Sequence, residues 1–216
     1  MLALLEFYRR IETAGLASRR IAPARRRLIY ASKHGWILFA ENWNRGGSRK
    51  RSTGKILALG MANLLMLDFD KSTVSICLAA LEAVSERAPN RFSIYQTANG
   101  FHAFGISRPH RARSYTALAL AAAVKSDPRY AWMAALKNRF DVRISPKSAC
   151  RDLQAVHIKR VGTGPEDPHL RATLACHDSI LQWSAARLPQ AWSLEDDELW
   201  ADAHEWCKEW DRRSFQ

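Results

Sequence analysis

The alternation of apolar and polar residues predicts helices and strands that follow one another along the whole chain. Apolar residues at helical spacing predict helices, whereas period-two alternation or a short apolar run predicts strands. We predict helices over 2–14, from Ser72 or Thr73 to Arg87, and over 114–125, 128–138, 170–186 and 194–213. Strands are predicted over 28–32, 36–40, 64–70, 91–97, 101–106, 140–145 and 154–161. This interleaving predicts an α/β or α+β fold with a mixed β-sheet core flanked by helices.

The length and the composition predict one main domain followed by a C-terminal helix. The main domain is expected over 1–189, with a basic N-terminal part over 1–55. The acidic, Trp-rich segment 190–216 is either an appendage or packed on that domain. Residues 44–55 are rich in glycine and cations, a composition that suits a loop on phosphates, with a solvated surface loop as the alternative.

The sequence gives no sign of a membrane or secreted protein. No apolar run approaches the roughly 20 residues of a membrane-spanning helix. The N-terminus lacks the basic start and the cleavage site of a secretory signal. The four cysteines form no C-x-x-C pair, so neither a zinc ribbon nor a disulfide framework is expected. We therefore expect a cytoplasmic protein with no membrane partner.

Positive charge is concentrated near the N-terminus of this chain, whose net charge is +12. Residues 1–55 hold thirteen Lys and Arg against three acids, whereas residues 190–216 hold eight acids against three cations. A basic region without an apolar anchoring face predicts a nucleic-acid partner, although a basic surface without a ligand is the alternative. The candidate contacts, including one aromatic ring for base stacking, are Arg26, Arg27, Trp43, Arg49, Lys50, Arg51 and Lys55.

The apolar run Leu64–Leu67 leads into two carboxylates, Asp68 and Asp70. Residues i and i+2 of a strand point to the same face, so both carboxylates are expected to project together. Like charges held this close repel unless a cation lies between them, and hard oxygen ligands suit Mg²⁺ or Mn²⁺. A strand that ends in a solvated turn with two aspartates is the alternative.

Two later strand segments carry further candidate residues. Gly100 permits close approach of a ligand to the backbone, and His102 is placed to contact a phosphate oxygen or, alternatively, to be a hydrogen-bonded strand residue. Asp141 and Arg143 share one face of a predicted strand, where a plain ion pair is the alternative. The following residues add a hydroxyl and a second cation, so the candidate triphosphate contacts there are Arg143, Ser145 and Lys147.

The order of these three segments resembles the archaeo-eukaryotic primase superfamily, the primase-polymerases. That family has an hhhDhD strand, a Ser/Gly-x-His strand and a hydrophobic-Asp strand, to which Leu65–Asp70, Gly100–His102 and Phe140–Asp141 are similar. The stretch from Asp127 to Lys147, with a late His177-Asp178, resembles small primase-like proteins of plasmids, phages and mobile elements. The resemblance covers about residues 60–180, and the motifs gain their weight from their order and strand context.

The resemblance implies an RRM-like catalytic core that performs template-directed nucleotidyl transfer as a DNA primase or polymerase. Asp68, Asp70 and Asp141 would hold two divalent ions, and His102 would contact the phosphates of an NTP or dNTP. Arg160, together with Lys159, is a further candidate phosphate contact. The implied partners are a single-stranded DNA template or a primer–template, with a separate helicase or replication protein.

Two departures from the family limit what the resemblance implies. The chain has no counterpart of the zinc-binding element of many primases, so no zinc is expected and primer initiation is in doubt. The third acid is open between Asp141 and Asp127, which fits an Asp-Pro pattern. Asp141 is preferred because a strand fixes it geometrically, whereas Asp127 is expected to cap a helix.

Two other functions remain open from sequence. One is a catalytically inactive DNA-binding protein, a replication-initiation or regulatory factor that keeps the primase fold. The other is a metal-dependent nuclease, which uses the same carboxylate chemistry. A rolling-circle endonuclease is disfavoured because the chain has no His-x-His pair.

Overall fold

The computed structural model describes residues 6–7, 9–10, 13, 23–44, 53–70, 72–145, 155–189 and 192–215. Among these residues it contains two four-stranded sheets and five helices, which confirms the α+β class. The strands are β1 Pro23–Ala31, β2 Trp36–Asn44, β3 Thr53–Met61, β4 Leu65–Asp70, β5 Phe92–Thr97, β6 Gly100–Gly105, β7 Phe140–Arg143 and β8 Val156–Val161. The helices are α1 Val74–Arg87, α2 Tyr115–Ala123, α3 Pro128–Lys137, α4 Pro168–Arg187 and α5 Asp197–Ser214.

The chain forms two compact units, each assembled from segments that are separate in sequence. The first comprises Met1–Ser18, Ala62–Phe140 and Ala155–Arg171, and the second comprises Arg19–Met61, Asp141–Gln154 and Ala172–Gln216. The first unit contains the sheet with strand order β4-β6-β5-β8 and helices α1 to α3. The second contains the sheet β1-β2-β3-β7, helix α5 and most of α4.

The sheet of the first unit is antiparallel, and β4 is an edge strand of it among the described residues. Strands β4, β5 and β6 have buried side chains on both faces, whereas β8 is largely exposed. The buried residues include Leu65, Leu67, Phe101, Ala103 and Ile94. The following helix begins where the sequence predicts, because the Thr73 hydroxyl accepts the Ile76 N–H at 3.4 Å. This arrangement leaves the carboxyl end of β4 at the sheet edge.

Strand β3 is absent from the sequence-based prediction, which places a loop over 44–55 and no strand between residue 40 and Leu64. Its centre, Leu57–Leu59, is buried at every position, so the period-two alternation that marks a half-exposed strand is missing. β1 also begins earlier than predicted, at Pro23, because three successive arginines of this strand masked its pattern.

Helix α5 packs against β1 within the second unit. Asp211 of this helix is buried and accepts hydrogen bonds from the Tyr30 hydroxyl at 3.1 Å and the Ser32 hydroxyl at 2.7 Å. Trp200 is also buried, and its indole N–H donates to the Ser193 carbonyl at 2.9 Å. None of the described helices is both long enough and apolar enough to cross a membrane.

Replacing Gly100 by alanine should destabilise the first unit. A Cβ at this position would lie 2.0 Å from the Phe69 carbonyl oxygen, so β4 or β6 would have to shift. We expect a loss of about 1–3 kcal/mol in the free energy of unfolding, the usual cost of overpacking. The matched control is Gly105→Ala in the same strand, whose Cβ would meet side chains alone, Leu65 at 3.2 Å and the Phe92 ring at 3.5 Å. Denaturant unfolding of both variants tests this, and equal losses would contradict it.

The Tyr30–Asp211 contact should make the second unit less stable at high pH. Burial, together with the hydrogen bond to Asp211, raises the pKa of Tyr30 from 10.0 to about 12. The fold therefore favours the neutral phenol, and its contribution is complete below pH 10 and lost as the pH rises towards 12. An absorbance titration of the wild type and Tyr30→Phe should show that the variant lacks a phenol whose pKa is about 12. A variant that instead lacks an early-ionising phenol would refute this assignment.

Candidate functional site

Asp68 and Asp70 project from the carboxyl end of β4, as the sequence predicts. The strand is buried through Leu67, after which Asp68 is half-buried and Asp70 is exposed. The side chain of Asp68 is only 18% exposed, so this carboxylate does not belong to a freely solvated turn. Both residues lie on the same face of the strand because they are two positions apart.

Ser126 and Asp127 form hydrogen bonds with the backbone of Asp68 at the open edge of β4. The Asp68 N–H donates to the Ser126 hydroxyl at 3.0 Å, and that hydroxyl donates to the Asp68 carbonyl at 3.1 Å. The Asp127 N–H donates to the same carbonyl at 2.7 Å. An edge strand leaves such groups without a neighbouring strand, and here the segment before α3 satisfies them. Asp127 is therefore held beside the carboxylates of β4.

Asp127 also caps α3, as predicted. Its carboxylate accepts the Arg129 N–H at 3.0 Å, and Pro128 occupies the first turn. Proline is favoured there because its missing N–H has no helical partner, so the Asp-Pro pair marks this helix start. One carboxylate oxygen can cap the helix while the other faces a ligand, so capping and ligation are compatible at this residue.

Asp68, Asp70 and Asp127 form a group of three carboxylates. One oxygen atom from each lies within 4.8 Å of the others. Three negative charges this close repel one another, and the burial of Asp68 adds a desolvation cost. The donor set contains only carboxylate oxygens, which fits Mg²⁺ or Mn²⁺ and disfavours a thiolate-seeking zinc site. The residues present thus fit the divalent cation that the sequence predicts.

His102 lies directly opposite Asp68 on the neighbouring strand β6. Its Nε2 atom is 3.8 Å from Asp68 Oδ1, and its side chain is 16% exposed. Because the backbone groups of Asp68 point to the sheet edge, the two residues form a close, non-hydrogen-bonded cross-strand pair. The predicted grouping of Asp68, Asp70 and His102 on one sheet face is observed. Gly100 lies opposite Asp70 and allows the two strands to approach there.

The third acid that the structure brings to this group is Asp127. Asp141 is half-buried in β7, belongs to the second unit and is not a member of the carboxylate group. The preference for Asp141 as a metal ligand stays a prediction. Ser126, which positions Asp127, is a residue that sequence reasoning missed, and the Asp-Pro pattern beside it was the available signal.

Arg143 and Ser145, two predicted nucleotide contacts, make hydrogen bonds within the second unit. The Arg143 guanidinium donates to the Ser145 carbonyl at 2.8 Å and to the Lys55 carbonyl at 3.3 Å. The Ser145 hydroxyl is buried and accepts the Leu57 N–H at 3.0 Å. These contacts join the end of β7 to β3. The predicted contact Lys147 lies outside the described residues.

The described cations of the predicted nucleic-acid surface have partners inside the second unit. Arg26 donates to the buried Glu41 and lies over the Phe39 ring at 4.8 Å. Arg27 forms an ion pair with Asp197 at 2.7 Å and donates to the Leu194 carbonyl at 2.8 Å, and Lys55 donates to the Trp192 carbonyl. Outside the described residues lie the other predicted contacts: Arg49, Lys50, Arg51 and the side chain of Trp43.

Comparison with known proteins identifies no relative: no family model, no curated protein and no solved structure matches this chain. The carboxylate group and its histidine are therefore the observations on which a function can be proposed.

Proposed function

We propose that the chain is a divalent-metal-dependent nucleotidyltransferase that extends a nucleic-acid strand on a template, a primase-polymerase activity in the replication of a mobile element. The observation that carries this proposal is the group formed by Asp68, Asp70 and Asp127, with His102 opposite Asp68. Phosphoryl transfer needs little covalent chemistry from the protein and depends on positioning and on charge stabilisation.

Each residue of the site has a definite role in this proposal. Asp68, Asp70 and Asp127 hold the cations, which when bound stabilise the attacking and leaving oxygens of an in-line displacement. His102 donates a hydrogen bond to a phosphate oxygen of the incoming NTP or dNTP, because its ring lies next to the carboxylate group and is partly exposed. Gly100, at the start of β6, allows this strand to lie close to β4 opposite Asp70.

A metal-dependent nuclease would use the same carboxylates. Both reactions displace an oxygen at phosphorus, and they differ in whether a 3′-hydroxyl or a water molecule attacks. A labelled primer separates them, because a polymerase lengthens it and a nuclease shortens it. A binding module without catalysis would do neither and would bind DNA equally well without metal.

Neutralising any one of the three carboxylates should abolish most of the activity. We expect Asp68→Asn, Asp70→Asn and Asp127→Asn each to lower Mn²⁺-dependent incorporation by at least about 100-fold, because each removes a charged cation ligand. Incorporation of labelled nucleotide on a primed single-stranded template is the measurement. Glu86→Gln, an exposed acid on α1, is the matched control and should retain wild-type activity.

Comparison of Asp127→Asn with Asp141→Asn decides which acid is third. If incorporation survives in Asp127→Asn and fails in Asp141→Asn, the ligand set proposed here is wrong. Full activity in all three variants of the carboxylate group would reject a metal-dependent reaction at this site.

Metal binding should also be visible in stability, independently of catalysis. In EDTA, Asp127→Asn should melt at a higher temperature than the wild type, because it removes repulsion while asparagine caps α3 equally well. With Mn²⁺ at 100 times its dissociation constant, the wild type should gain about 2.7 kcal/mol and the variant much less. Thermal unfolding with and without Mn²⁺ measures both effects. An equal gain in the two proteins would show that the cation binds elsewhere.

A further inference from the structure

Three arginines of the first unit converge on one carboxylate, Glu166. Arg160 Nη1 lies 3.0 Å from Glu166 Oε1, and Arg91 Nη1 lies 3.4 Å from the same oxygen. Arg171 Nε lies 3.4 Å from Glu166 Oε2. We call Arg91, Arg160 and Arg171 the arginine cluster. Three positive charges against one negative charge leave a local surplus of positive charge.

The carboxylate at the centre is enclosed, whereas the arginines reach solvent. The side chain of Glu166 is 12% exposed, and those of Arg91, Arg160 and Arg171 are 35%, 51% and 62% exposed. A guanidinium carries more N–H donors than one shared carboxylate can accept, so donors on the outer side remain available to a second anion. A purely structural ion pair would need one arginine, not three.

The backbone around the cluster is held in place before any ligand binds. Gly162 has φ +89°, and a Cβ there would lie 2.0 Å from the Asn90 carbonyl oxygen, so the loop after β8 lies directly against the segment before β5. The Asp167 N–H donates to the Ile106 carbonyl at 2.8 Å, and the Arg91 N–H donates to the Ser107 hydroxyl at 2.7 Å. Such a preorganised site loses little entropy when it binds an anion.

The cluster lies on the same sheet as the carboxylate group. Asp68, His102, Tyr95 and His157 are directly opposite one another on β4, β6, β5 and β8, so they form one row across one face. Arg160 pairs with Ser93, two residues before Tyr95, and therefore lies on that face too. Three strand spacings separate β4 from β8, a distance of roughly 14 Å. The arginine cluster and the carboxylate group thus lie on the same face of the sheet, on either side of the buried Tyr95.

The strand beside the cluster offers surface for bases as well as for phosphates. Residues 156–160 of β8 are all exposed, and the His157 ring packs edge-on against Tyr95 at 5.2 Å. His157 and Arg160 lie on the face of the arginine cluster, whereas Val156, which pairs with Gln96, lies on the opposite face. Cations next to an exposed ring are a combination that binds single-stranded nucleic acid. A partner β-strand fits less well, because Lys159 and the pairing irregularity opposite Ile94 and Tyr95 protect this edge.

We propose that the arginine cluster and the exposed strand β8 bind the phosphate backbone of single-stranded nucleic acid. This goes beyond the proposed function and does not depend on it, since the binding needs no metal and no catalysis. Arg160, predicted from sequence as a nucleotide contact, is here assigned to the strand rather than to the incoming nucleotide.

The test measures binding of the full chain to a labelled oligothymidine in EDTA at several salt concentrations. Arg160→Gln/Arg171→Gln should weaken binding several-fold and reduce the log–log salt slope by about 0.7 for each lost phosphate contact. Arg87→Gln, an exposed arginine on the last turn of α1, is the control and should leave affinity nearly unchanged. Asp70→Asn should bind at least as well as the wild type, so failure of the metal site would not imitate failure of this surface.

Glu166→Gln should change the affinity for the oligothymidine in the opposite direction. It keeps the shape of the side chain and raises the surplus charge of the cluster, so binding should become several-fold tighter with a steeper salt slope. A structural role alone predicts lower thermal stability and no gain in affinity, which would overturn the proposal. If this variant does not fold, Arg171→Gln alone decides, because its side chain is the most exposed of the three. The proposal would also be overturned if the arginine variants had the same salt slope as Arg87→Gln. It would likewise be overturned if the wild type bound a polyglutamate of matched charge as tightly as the oligothymidine.

Discussion

The hydrogen bonds between Asp68 and the segment Ser126–Asp127 are the contact on which the candidate site depends. β4 is an edge strand of its sheet among the described residues, so the N–H and carbonyl of Asp68 need partners from outside the sheet. Ser126 and Asp127 supply them, at 3.0, 3.1 and 2.7 Å. Satisfying the backbone of one aspartate therefore brings the carboxylate of another beside it. The acidic group is a consequence of how the edge of this sheet is closed.

The pairing of the β4 edge by Ser126 and Asp127 holds three carboxylates together, which is electrostatically costly. Asp70 alone is exposed and would suit a solvated turn, but Asp68 is largely enclosed and Asp127 is held within 4.8 Å of both. The three carboxylates repel one another, and a cation bound among them would relieve that repulsion. A solvated turn explains the exposed Asp70 but not the enclosed Asp68.

Local sequence patterns predict the part of the site that lies on one strand, Asp68 and Asp70. They do not predict the part that depends on contacts between distant segments, Ser126 and Asp127. Asp68 and Asp70 share a face because side chains alternate along a strand, so their spacing in the sequence is enough to predict it. Ser126 lies 58 residues from Asp68, and no periodicity reports that separation. The sequence leaves the third acid open between Asp141 and Asp127 and places Asp127 second because it is expected to cap a helix, although one carboxylate can both cap a helix and bind a cation. β3 was missed because a strand buried on both faces does not alternate.

Charge composition predicts a polyanion partner from a count of cations, and such a count does not show which cations are paired within the protein. Arg26 and Arg27 contribute to the excess of residues 1–55, yet each has a carboxylate partner within the second unit. What attracts an anion is the charge left after internal pairing, together with exposed donors. By that measure Glu166, although acidic, marks the stronger candidate, because three arginines share it. A single enclosed carboxylate that pairs with several arginines orients them. The positive charge that it does not neutralise remains available at the surface.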